Sequence, residues 1–580
     1  MNYQTDFPSI FHDFNATKLV EYEPIWFGSA FADKKQCGED PDDATRKNLA
    51  DFCYMIAEGE CFDHLRFDRT DTKALQAERY GGNGIGDNGG GVRCGNIGKY
   101  QVKGIGKNPL VGAEGQTWHS YGGLNAEDAI YETIYATLLA KILPVGVATI
   151  HAIIATGPNA AYTVNTGERG WGALMIRDVA LRPAHFVRAG AYTPSRRQEA
   201  MMMSDVGRVR ILNKQLRKRF EGINDFVRFL GNFLMRCASQ FAFARIARVM
   251  HGSVTPSNIC FDGRWIDLAN TSFLPSGTNT LGYTSFYEEC NAPLAILREN
   301  IETFNKYNGT KLSLEPLANY YFSQLTAYFK HHLGYLFGLE WHNFLENIPN
   351  DDLEYLTMEM LALLSSGPLG RDGWPEALPA DDPVLSVLEY TYCSLLNPVL
   401  EWNKESSFQF KDAEKFRNAF RVTFDCVCNE IKQNRVQFAV TSFIKAYKRS
   451  AFSAYYYKGR LTTVIKDSLN STDLKRATAL VSNSAELSKW VFTDTDDKSP
   501  VLFSSIHRTV QYDGPNGMFL LTEAGRKIQS LSAIELKTHL LMLGKQAFEI
   551  EAFDFGSTLL RLIDTIIRIS QGTEEINGSA

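Results

Sequence analysis

The spacing of apolar residues predicts a small mixed lobe in the first part of the chain. From about residue 79 to 112 glycine is frequent, and short β-type pieces such as 100–102 alternate with turns. A helical stretch is predicted near 125–141, and β-rich runs are predicted at 145–155 and 173–176. A glycine loop, a strand, a helix and further strands in this order are typical of a small α/β lobe.

The rest of the chain has a predominantly helical pattern. Over 200–250, apolar residues recur at intervals of three and four. Helical patterns also dominate from 315 to the end, where Ser532 and Glu535 have the spacing of a capping box that opens a helix. Apolar residues between 559 and 567 predict a helix face that packs on the body. Together the two sections predict an α+β fold.

Composition narrows the class of protein. The 580 residues are 44% hydrophobic with a formal net charge of −6, so we expect a large core and no dedicated nucleic-acid interface, which would need a basic face. The ten cysteines include no CxxC pair, which favours free thiols in a reducing compartment over a zinc site. The most apolar stretch, 138–155, contains Lys141, Pro144 and His151 and is interpreted as core rather than as a membrane span. Because the N-terminus also lacks a signal-peptide pattern, we expect a cytoplasmic protein without nucleic-acid or membrane partners.

The first candidate for chemistry is the glycine-rich stretch 80–91, which is followed by Lys103. Glycines let backbone N–H groups approach phosphate oxygens, and a lysine at the end of the next strand can supply those oxygens with a positive charge. The stretch is equally compatible with a flexible hairpin. Glu132 lies 29 residues after Lys103, in the predicted helix. It either pairs with the lysine, as in kinase-like folds, or is an ordinary exposed helix residue.

The most specific candidate is the loop that begins at His251. Asn258 follows this histidine by seven residues, as in the kinase catalytic-loop pattern HRDxxxxN, and Asp267 follows a predicted turn at 262–263. An amide and a carboxylate that flank a short hairpin can both offer oxygen ligands to one Mg²⁺. Ser253 stands where a kinase has its catalytic aspartate, and a serine hydroxyl is too weak a base to replace it.

Taken in order, these motifs resemble the selenoprotein O (SelO) family, which are pseudokinases with a protein-kinase-like fold that transfer AMP instead of phosphate. The resemblance covers about residues 78–275. The matching pieces are Gly86-Asp87-Asn88-Gly89, Val102-Lys103-Gly104-Ile105-Gly106, Ile130-Tyr131-Glu132, the run from Arg177 to Gly190, and His251 to Asn258 followed by Asp267. The resemblance implies a bilobal kinase-like core with a helical C-terminal extension. The predicted parts are an N-terminal extension at 1–75, an N-lobe at 76–199, a C-lobe at 200–345 and a helical region at 346–580.

The resemblance also implies roles for the matching residues. Lys103 and Glu132 form the ion pair that orients ATP, and Asn258 and Asp267 hold Mg²⁺ or Mn²⁺. The implied nucleotide-binding residues are Gly84, Gly86, Asp87, Lys103, Arg177 and Arg188, with Arg182 as an alternative to Arg188. The two arginines hold the γ-phosphate of an inverted ATP, and inversion presents the α-phosphate to the acceptor.

The chain departs from the family pattern at three places. Gly89 replaces the arginine of the glycine loop, and Ser257 replaces the acidic residue before Asn258. No cysteine follows Cys428, whereas the family has a C-terminal redox cysteine or selenocysteine. We therefore expect a divergent relative with a different substrate.

The expected function is an ATP- and Mg²⁺-dependent nucleotidyltransferase that attaches AMP to a hydroxyl or a carboxylate of a protein or peptide. A carboxylate acceptor needs no deprotonation, which would be consistent with the missing base. Two alternatives stay open. One is an atypical phosphotransferase, and the other is a non-catalytic ATP-binding scaffold that docks a partner enzyme.

Overall fold

The chain folds as a mixed α+β protein, as predicted, and it contains a large antiparallel sheet. The computed structural model describes residues 3–31, 41–59, 61–115, 118–163, 167–199, 201–274, 280–281, 284–366, 382–397, 399–403, 406, 408–469, 474–493, 498–524, 529–551 and 553–577. None of the helices in these ranges combines the length and the apolar character needed to span a membrane.

The main sheet is antiparallel throughout, with the strand order β2-β7-β8-β6-β5-β4-β1-β3. Its strands in the described residues are β1 (Phe11–Leu19), β2 (Glu23–Phe27), β3 (Tyr54–Met55), β4 (Phe67–Glu78), β5 (Cys94–Ile97), β6 (Tyr100–Lys103), β7 (Ile150–Tyr162) and β8 (Arg169–Asp178). Successive residues of a strand point to opposite faces, so β7 and β8 bury Ile153 and Met175 on one face and Ile154 and Ile176 on the other.

Helices surround the sheet and form most of the remaining chain. Within the described ranges they are α1 (Tyr3–Asp6), α2 (Asp43–Ala50), α3 (Ala126–Ile142), α4 (Arg196–Glu199), α5 (Asp205–Lys218), α6 (Ile223–Ile246), α7 (Ala292–Asn308), α8 (Glu315–Leu336), α9 (Asn350–Ser365), α10 (Pro383–Ser394), α11 (Ala413–Ile431), α12 (Arg435–Ala451), α13 (Lys458–Leu469), α14 (Lys475–Phe492), α15 (Ala533–Leu543) and α16 (Phe555–Asn577). The predicted helices near 125–141 and within 200–250 are confirmed by α3, α5 and α6.

Helix α3 is the element that positions the candidate site. It packs against β7 and β8 on one side and against α13 and α14 on the other. Because it is covered on both sides, it is apolar around most of its circumference rather than along one stripe. Asn125 caps its first turn by accepting a hydrogen bond from the Glu127 N–H at 2.8 Å.

The β-rich run predicted at 145–155 is shifted in the structure. Strand β7 begins at Ile150, and Val147 instead bridges to Trp265 outside the sheet. Gly146, with φ +80°, turns the chain after Pro144, so the preceding residues cannot join the ladder. The second run, 173–176, lies inside β8 as predicted.

The end of the chain is less helical than its pattern indicates. A four-stranded antiparallel sheet lies between α14 and α15 in the described part of this region. The smaller sheets of the molecule are built from β9 (Val249–Met250), β10 (Ser272–Phe273), β11 (Thr280–Leu281), β12 (Thr284–Ser285), β13 (Val501–Ser504), β14 (Arg508–Asp513), β15 (Met518–Glu523), β16 (Gln529–Leu531), β17 (Glu549–Ile550) and β18 (Phe553–Asp554). The predicted capping box at Ser532 and Glu535 is confirmed, and the apolar face of α16 is buried as expected.

The N-terminal residues belong to the main sheet. Strands β1, β2 and β3 and most of β4 come from the segment predicted as an extension at 1–75. Much of β4 is exposed and polar between Asp68 and Lys73, which hides its strand character in the sequence. The division into four parts stays a prediction.

Candidate functional site

A cavity of about 600 Å³ lies where the glycine-rich loop, the sheet, α3, the loop 253–270 and α13 meet. Cavities that bind drug-sized ligands typically measure about 300–1,000 Å³, so this one has room for a nucleotide. Several predicted site residues line it, namely Gly84, Lys103, Arg177, Asn258 and Asp267. Glu132 lies directly behind Lys103.

Lys103 joins two carboxylates at the wall of this cavity. Its Nζ lies 2.5 Å from Glu132 Oε1 and 2.7 Å from Asp267 Oδ1, and its side chain is 2% exposed. Burial raises the pKa of Glu132, although Lys103 acts in the opposite direction. The ammonium group therefore connects the sheet, α3 and the loop that carries Asp267.

Strand alternation places Lys103 beside a second cation. In the β6–β8 ladder Gln101 pairs with Arg177 and Lys103 pairs with Met175, so residues 101, 103 and 177 share one face. Arg177 donates from Nε and Nη2 to Gln101 Oε1 at 2.9 and 2.7 Å, and its Nη1 lies 3.9 Å from Glu132 Oε2. Arg177 is 3% exposed and is therefore a buried residue of β8 rather than a surface one.

Asp267 has the conformation of a residue under constraint. Its φ is +65°, in the left-handed region that non-glycine residues rarely occupy and that often marks functional sites. Burial would raise the pKa of its carboxyl, but Lys103, Arg177 and Arg93 outweigh burial and hold this pKa well below its usual value. Because the side chain is 33% exposed, the ionised group also faces the cavity.

The predicted hairpin between Asn258 and Asp267 is present. Cys260 N donates to Arg264 O at 2.9 Å, and Ile266 N donates to Asn258 O at 3.1 Å. The side-chain nitrogen of Asn258 donates to Ser253 O at 2.9 Å. Its side-chain oxygen accepts from Ser257 Oγ at 3.2 Å, and Asn258 lines the cavity.

Glu289 is hydrogen-bonded to the backbone at the start of the loop that begins at His251. Its carboxylate accepts from His251 N at 3.0 Å and from Gly252 N at 2.6 Å. Burial raises the pKa of Glu289 to about 7 even though these two bonds lower it. Burial also lowers the pKa of the His251 imidazole to about 4, so this side chain is neutral at pH 7.

Close backbone packing explains two of the loop glycines. A Cβ at Gly81 would lie 2.0 Å from the backbone carbon of Arg188, and one at Gly90, where φ is +146°, would lie 2.2 Å from Glu78 O. Both positions therefore require glycine. The loop therefore packs closely against neighbouring backbone at these two positions, and Gly84 and Gly90 line the cavity.

Not all predicted nucleotide-binding residues reach the cavity. Gly86 is exposed and Asp87 packs against Gly112, and neither is part of the lining. Arg188 is exposed, with only its backbone packed against the glycine loop. The alternative, Arg182, is buried and also lies outside the lining.

Arg182 is held by other contacts. Its Nη2 donates to Glu78 Oε2 at 3.0 Å, and its Nη1 donates to Ser257 O at 3.1 Å. It therefore links the end of β4 to the loop of Asn258.

The structure adds residues that sequence reasoning missed. Arg93, just before β5, is 8% exposed and lines the cavity four positions after the glycine that replaces the family's loop arginine. Asp128 lines it from the first turn of α3. A further part of the wall comes from one face of α13 and consists of Lys458, Thr462, Ile465 and Lys466. This helix lies far outside the segment that carries the resemblance. The spacing of four, three and one between its four lining residues is a helix-face signal, but nothing local shows which face meets a cavity.

The side chains present fit a triphosphate and a divalent cation. Arg93, Lys103 and Arg177 supply positive charge and N–H donors on one side of the cavity. Mg²⁺ in proteins is commonly bound by one or two carboxylates together with phosphates and water, a set that Asp267 and the oxygen of Asn258 can complete. Among the residues that the structure describes, no group of three or more His, Cys, Asp or Glu side chains is placed to hold a metal by itself.

No protein-family model matches this chain, and no curated protein sequence matches it.

Proposed function

We propose that this chain is a kinase-like pseudokinase of the selenoprotein O type, which binds ATP with Mg²⁺ or Mn²⁺ and transfers AMP to a protein or peptide. The observation that carries the proposal is Lys103, held between Glu132 and Asp267 at a nucleotide-sized cavity that Asn258 also lines. The four residues come from a strand, a helix and a hairpin that are distant in sequence. Their convergence in the order of the resemblance supports a bilobal kinase-like core.

In this proposal the basic side of the cavity holds the phosphates. Lys103 and Arg177 take the positions that the resemblance implies, and Arg93 supplies the charge that Gly89 lacks. Asn258 and Asp267 hold the metal ion, which neutralises phosphate charge when it is bound. The Arg188 side chain is exposed and does not line the cavity, so Arg188 is not part of the proposed site.

The loop lacks the aspartate with which a kinase deprotonates its substrate, and this is consistent with the AMP transfer that the resemblance implies. Ser253 and Ser257 stand at the two acidic positions, and both line the cavity. Ser257 Oγ is hydrogen-bonded to Asn258 Oδ1 at 3.2 Å and to Thr255 Oγ1 at 2.9 Å. Serine hydroxyls are too weakly basic to take a proton from a kinase substrate at neutral pH.

The experiment compares two positions of the label in ATP. The full chain is incubated with Mg²⁺, candidate acceptor proteins and ATP labelled at either the α- or the γ-phosphate. We expect label on protein from the α-position only, and loss of that label in Asp267→Asn. Label transferred from the γ-position only would instead identify an atypical phosphotransferase.

A second candidate function is a non-catalytic ATP-binding scaffold for a partner enzyme. The same Ser253 and Ser257 favour it, because a site that only binds nucleotide needs no base. In this case ATP and Mg²⁺ raise the melting temperature of the wild type but not of Asp267→Asn, and neither label reaches a protein.

A further inference from the structure

Asp128 is a carboxylate of the cavity wall to which the proposed nucleotide site gives no role. It lies in the first turn of α3 and lines the cavity together with Tyr131. It forms neither a hydrogen bond nor an ion pair within the part of the chain that the structure describes. An acid in a first turn ordinarily stabilises the positive end of its helix, which does not require a place in a cavity.

Each of the other carboxylates of the described lining forms an ion pair with a lysine ammonium. Asp267 is bound to Lys103, and Glu127 lies 4.0 Å from the Lys466 ammonium. The loop hydroxyls cannot serve as bases, as argued above. Asp128 is therefore the carboxylate of this lining that is available to accept a proton.

Its position along α3 relates it to the proposed phosphate site. Asp128 precedes Glu132 by four residues, so the two side chains lie on the same face, about one helical turn of 5.4 Å apart. Glu132 is paired with Lys103 at the cavity wall, and Asp128 lines the cavity one helical turn closer to the start of α3. Its negative charge acts on both Arg93 and Lys458, which places it between the basic side of the cavity and the α13 wall.

We propose that Asp128 is the general base of the transfer reaction and takes the proton from the acceptor hydroxyl group. This inference rests on the proposed AMP transfer and adds to it the identity of the base. A carboxylate acceptor would need no base and would be repelled by Asp128.

The step balances without a further reactant. The acceptor oxygen forms a bond to the α-phosphorus of ATP, and the bond from that phosphorus to the oxygen that bridges to the β-phosphorus breaks. Pyrophosphate leaves with the bridging oxygen, and the proton of the hydroxyl group passes to the Asp128 carboxylate. Exchange with water restores the carboxylate.

The test uses the full chain, ATP labelled at the α-phosphate, Mg²⁺, and dephosphorylated casein as the acceptor, with self-labelling measured in parallel. Because general-base catalysis contributes roughly 10²–10⁴-fold, we expect Asp128→Asn to transfer AMP that much more slowly while it binds ATP within about twofold of the wild type. Asp128→Glu should recover part of the rate. Asp351→Asn, which removes a first-turn acid from α9, is the matched control and should keep the wild-type rate.

Four outcomes separate the inference from the proposed function. Equal rates for wild type and Asp128→Asn overturn the assignment of the base alone. Recovery of Asp128→Asn by raised Mg²⁺ or Mn²⁺ identifies a metal ligand instead and also overturns it. Release of AMP from the product by hydroxylamine, which cleaves acyl-adenylates but not phosphodiesters, overturns the hydroxyl acceptor. Absence of α-label on any protein with the wild type overturns the proposed function and the inference together.

Discussion

Two lysines reach the same cavity from opposite regions of the chain, and their surroundings differ. Lys103, from the sheet, lies between the carboxylates of Glu132 and Asp267 and is almost completely buried. Lys458, from α13, donates to two uncharged acceptors, Ala269 O at 2.6 Å and Asn270 Oδ1 at 2.9 Å. Burial lowers the pKa of Lys458 to about 8, although Asp128 and Glu132 act in the opposite direction.

The difference shows how neighbours decide what a lysine can do. A cation shared by one buried and one partly exposed carboxylate is a fixed part of the structure, because removing it leaves both carboxylates without their ion-pair partner. A cation that donates to carbonyl and amide oxygens, and whose Nζ lies 5.6 Å from the centre of the Tyr131 ring, can exchange its proton near neutral pH when burial lowers its pKa. The sheet side of the cavity is therefore fixed by ion pairs, whereas the charge of the α13 side can change near neutral pH.

The strongest test of the fixed side is Lys103→Met. Breaking a buried ion pair by removing one partner costs about 3–5 kcal/mol, and the partial exposure of Asp267 points to the lower end of this range. We expect the free energy of unfolding, measured with urea in the absence of ATP, to fall by about 3 kcal/mol. Lys99→Met removes an exposed lysine from the turn between β5 and β6 and should change it by less than about 0.5 kcal/mol. Equal values for the two variants would contradict the fixed role of Lys103.

A second test compares the reactivity of the two lysines directly. At about pH 8 roughly half of the Lys458 side chains are neutral, whereas an ordinary lysine is almost entirely protonated. A limiting amount of an amine-acylating reagent should therefore modify Lys458 about tenfold faster than Lys99, and ATP with Mg²⁺ should slow this modification. Lys103 should stay unmodified because it is enclosed. Peptide mass spectrometry measures the extent of modification at all three lysines. Modification of Lys103 at the rate of Lys458 would contradict the predicted difference between these two lysines.

Glu289→Gln tests the hydrogen bonds that hold the start of the loop from His251 to Asn258. Glutamine offers one acceptor oxygen to two backbone N–H groups, so we expect a loss of about 1–3 kcal/mol in the free energy of unfolding. The pKa of Glu289 is raised from 4.5 to about 7, so the stability that this group contributes is complete below pH 4.5 and is lost as the pH rises through 7. The difference in stability between wild type and Glu289→Gln should therefore shrink as the pH rises from about 4.5 to about 7 and change little above that.

The neighbouring residue provides the control for this prediction. Glu288 is exposed on the same turn, so Glu288→Gln should leave the stability and its dependence on pH unchanged. Thermal unfolding at several pH values measures both variants. A difference for Glu289→Gln that grows as the pH rises would contradict the raised pKa.

The smallest effect is expected at the outer end of α13. Lys466 is 40% exposed and lies 4.0 Å from Glu127, which is the geometry of a weak surface pair. Lys466→Ala should therefore lower the free energy of unfolding by no more than about 0.5 kcal/mol and weaken ATP binding less than about twofold. Calorimetry with ATP and Mg²⁺ checks the binding. A loss of ATP binding as large as that of Lys103→Met would show that the two walls are equally fixed.

Local sequence signals determined the elements whose cause lies within a few residues. The helix at α3, the capping box at Ser532 and the hairpin after Asn258 each depend on spacing, caps or turn residues, and all three are present. The order of the glycine loop, Lys103 and Glu132 was also readable, because strand and helix periods showed which element carries each residue. The strands β13 to β16 were missed, although β14 and β15 do alternate between buried and partly exposed positions.

Only the tertiary structure decided which side chains share the cavity. Arg93 lines it whereas Arg188 does not, because the backbone of Arg188 packs against Gly81 and leaves its side chain outside. Helix α13 reaches the cavity because α3 is covered by α13 and α14, a contact between segments that are more than 300 residues apart. Periodicity shows that a helix has an apolar face, but the partner of that face depends on how the whole chain packs. The motifs were therefore visible in the sequence, and the wall opposite them was not.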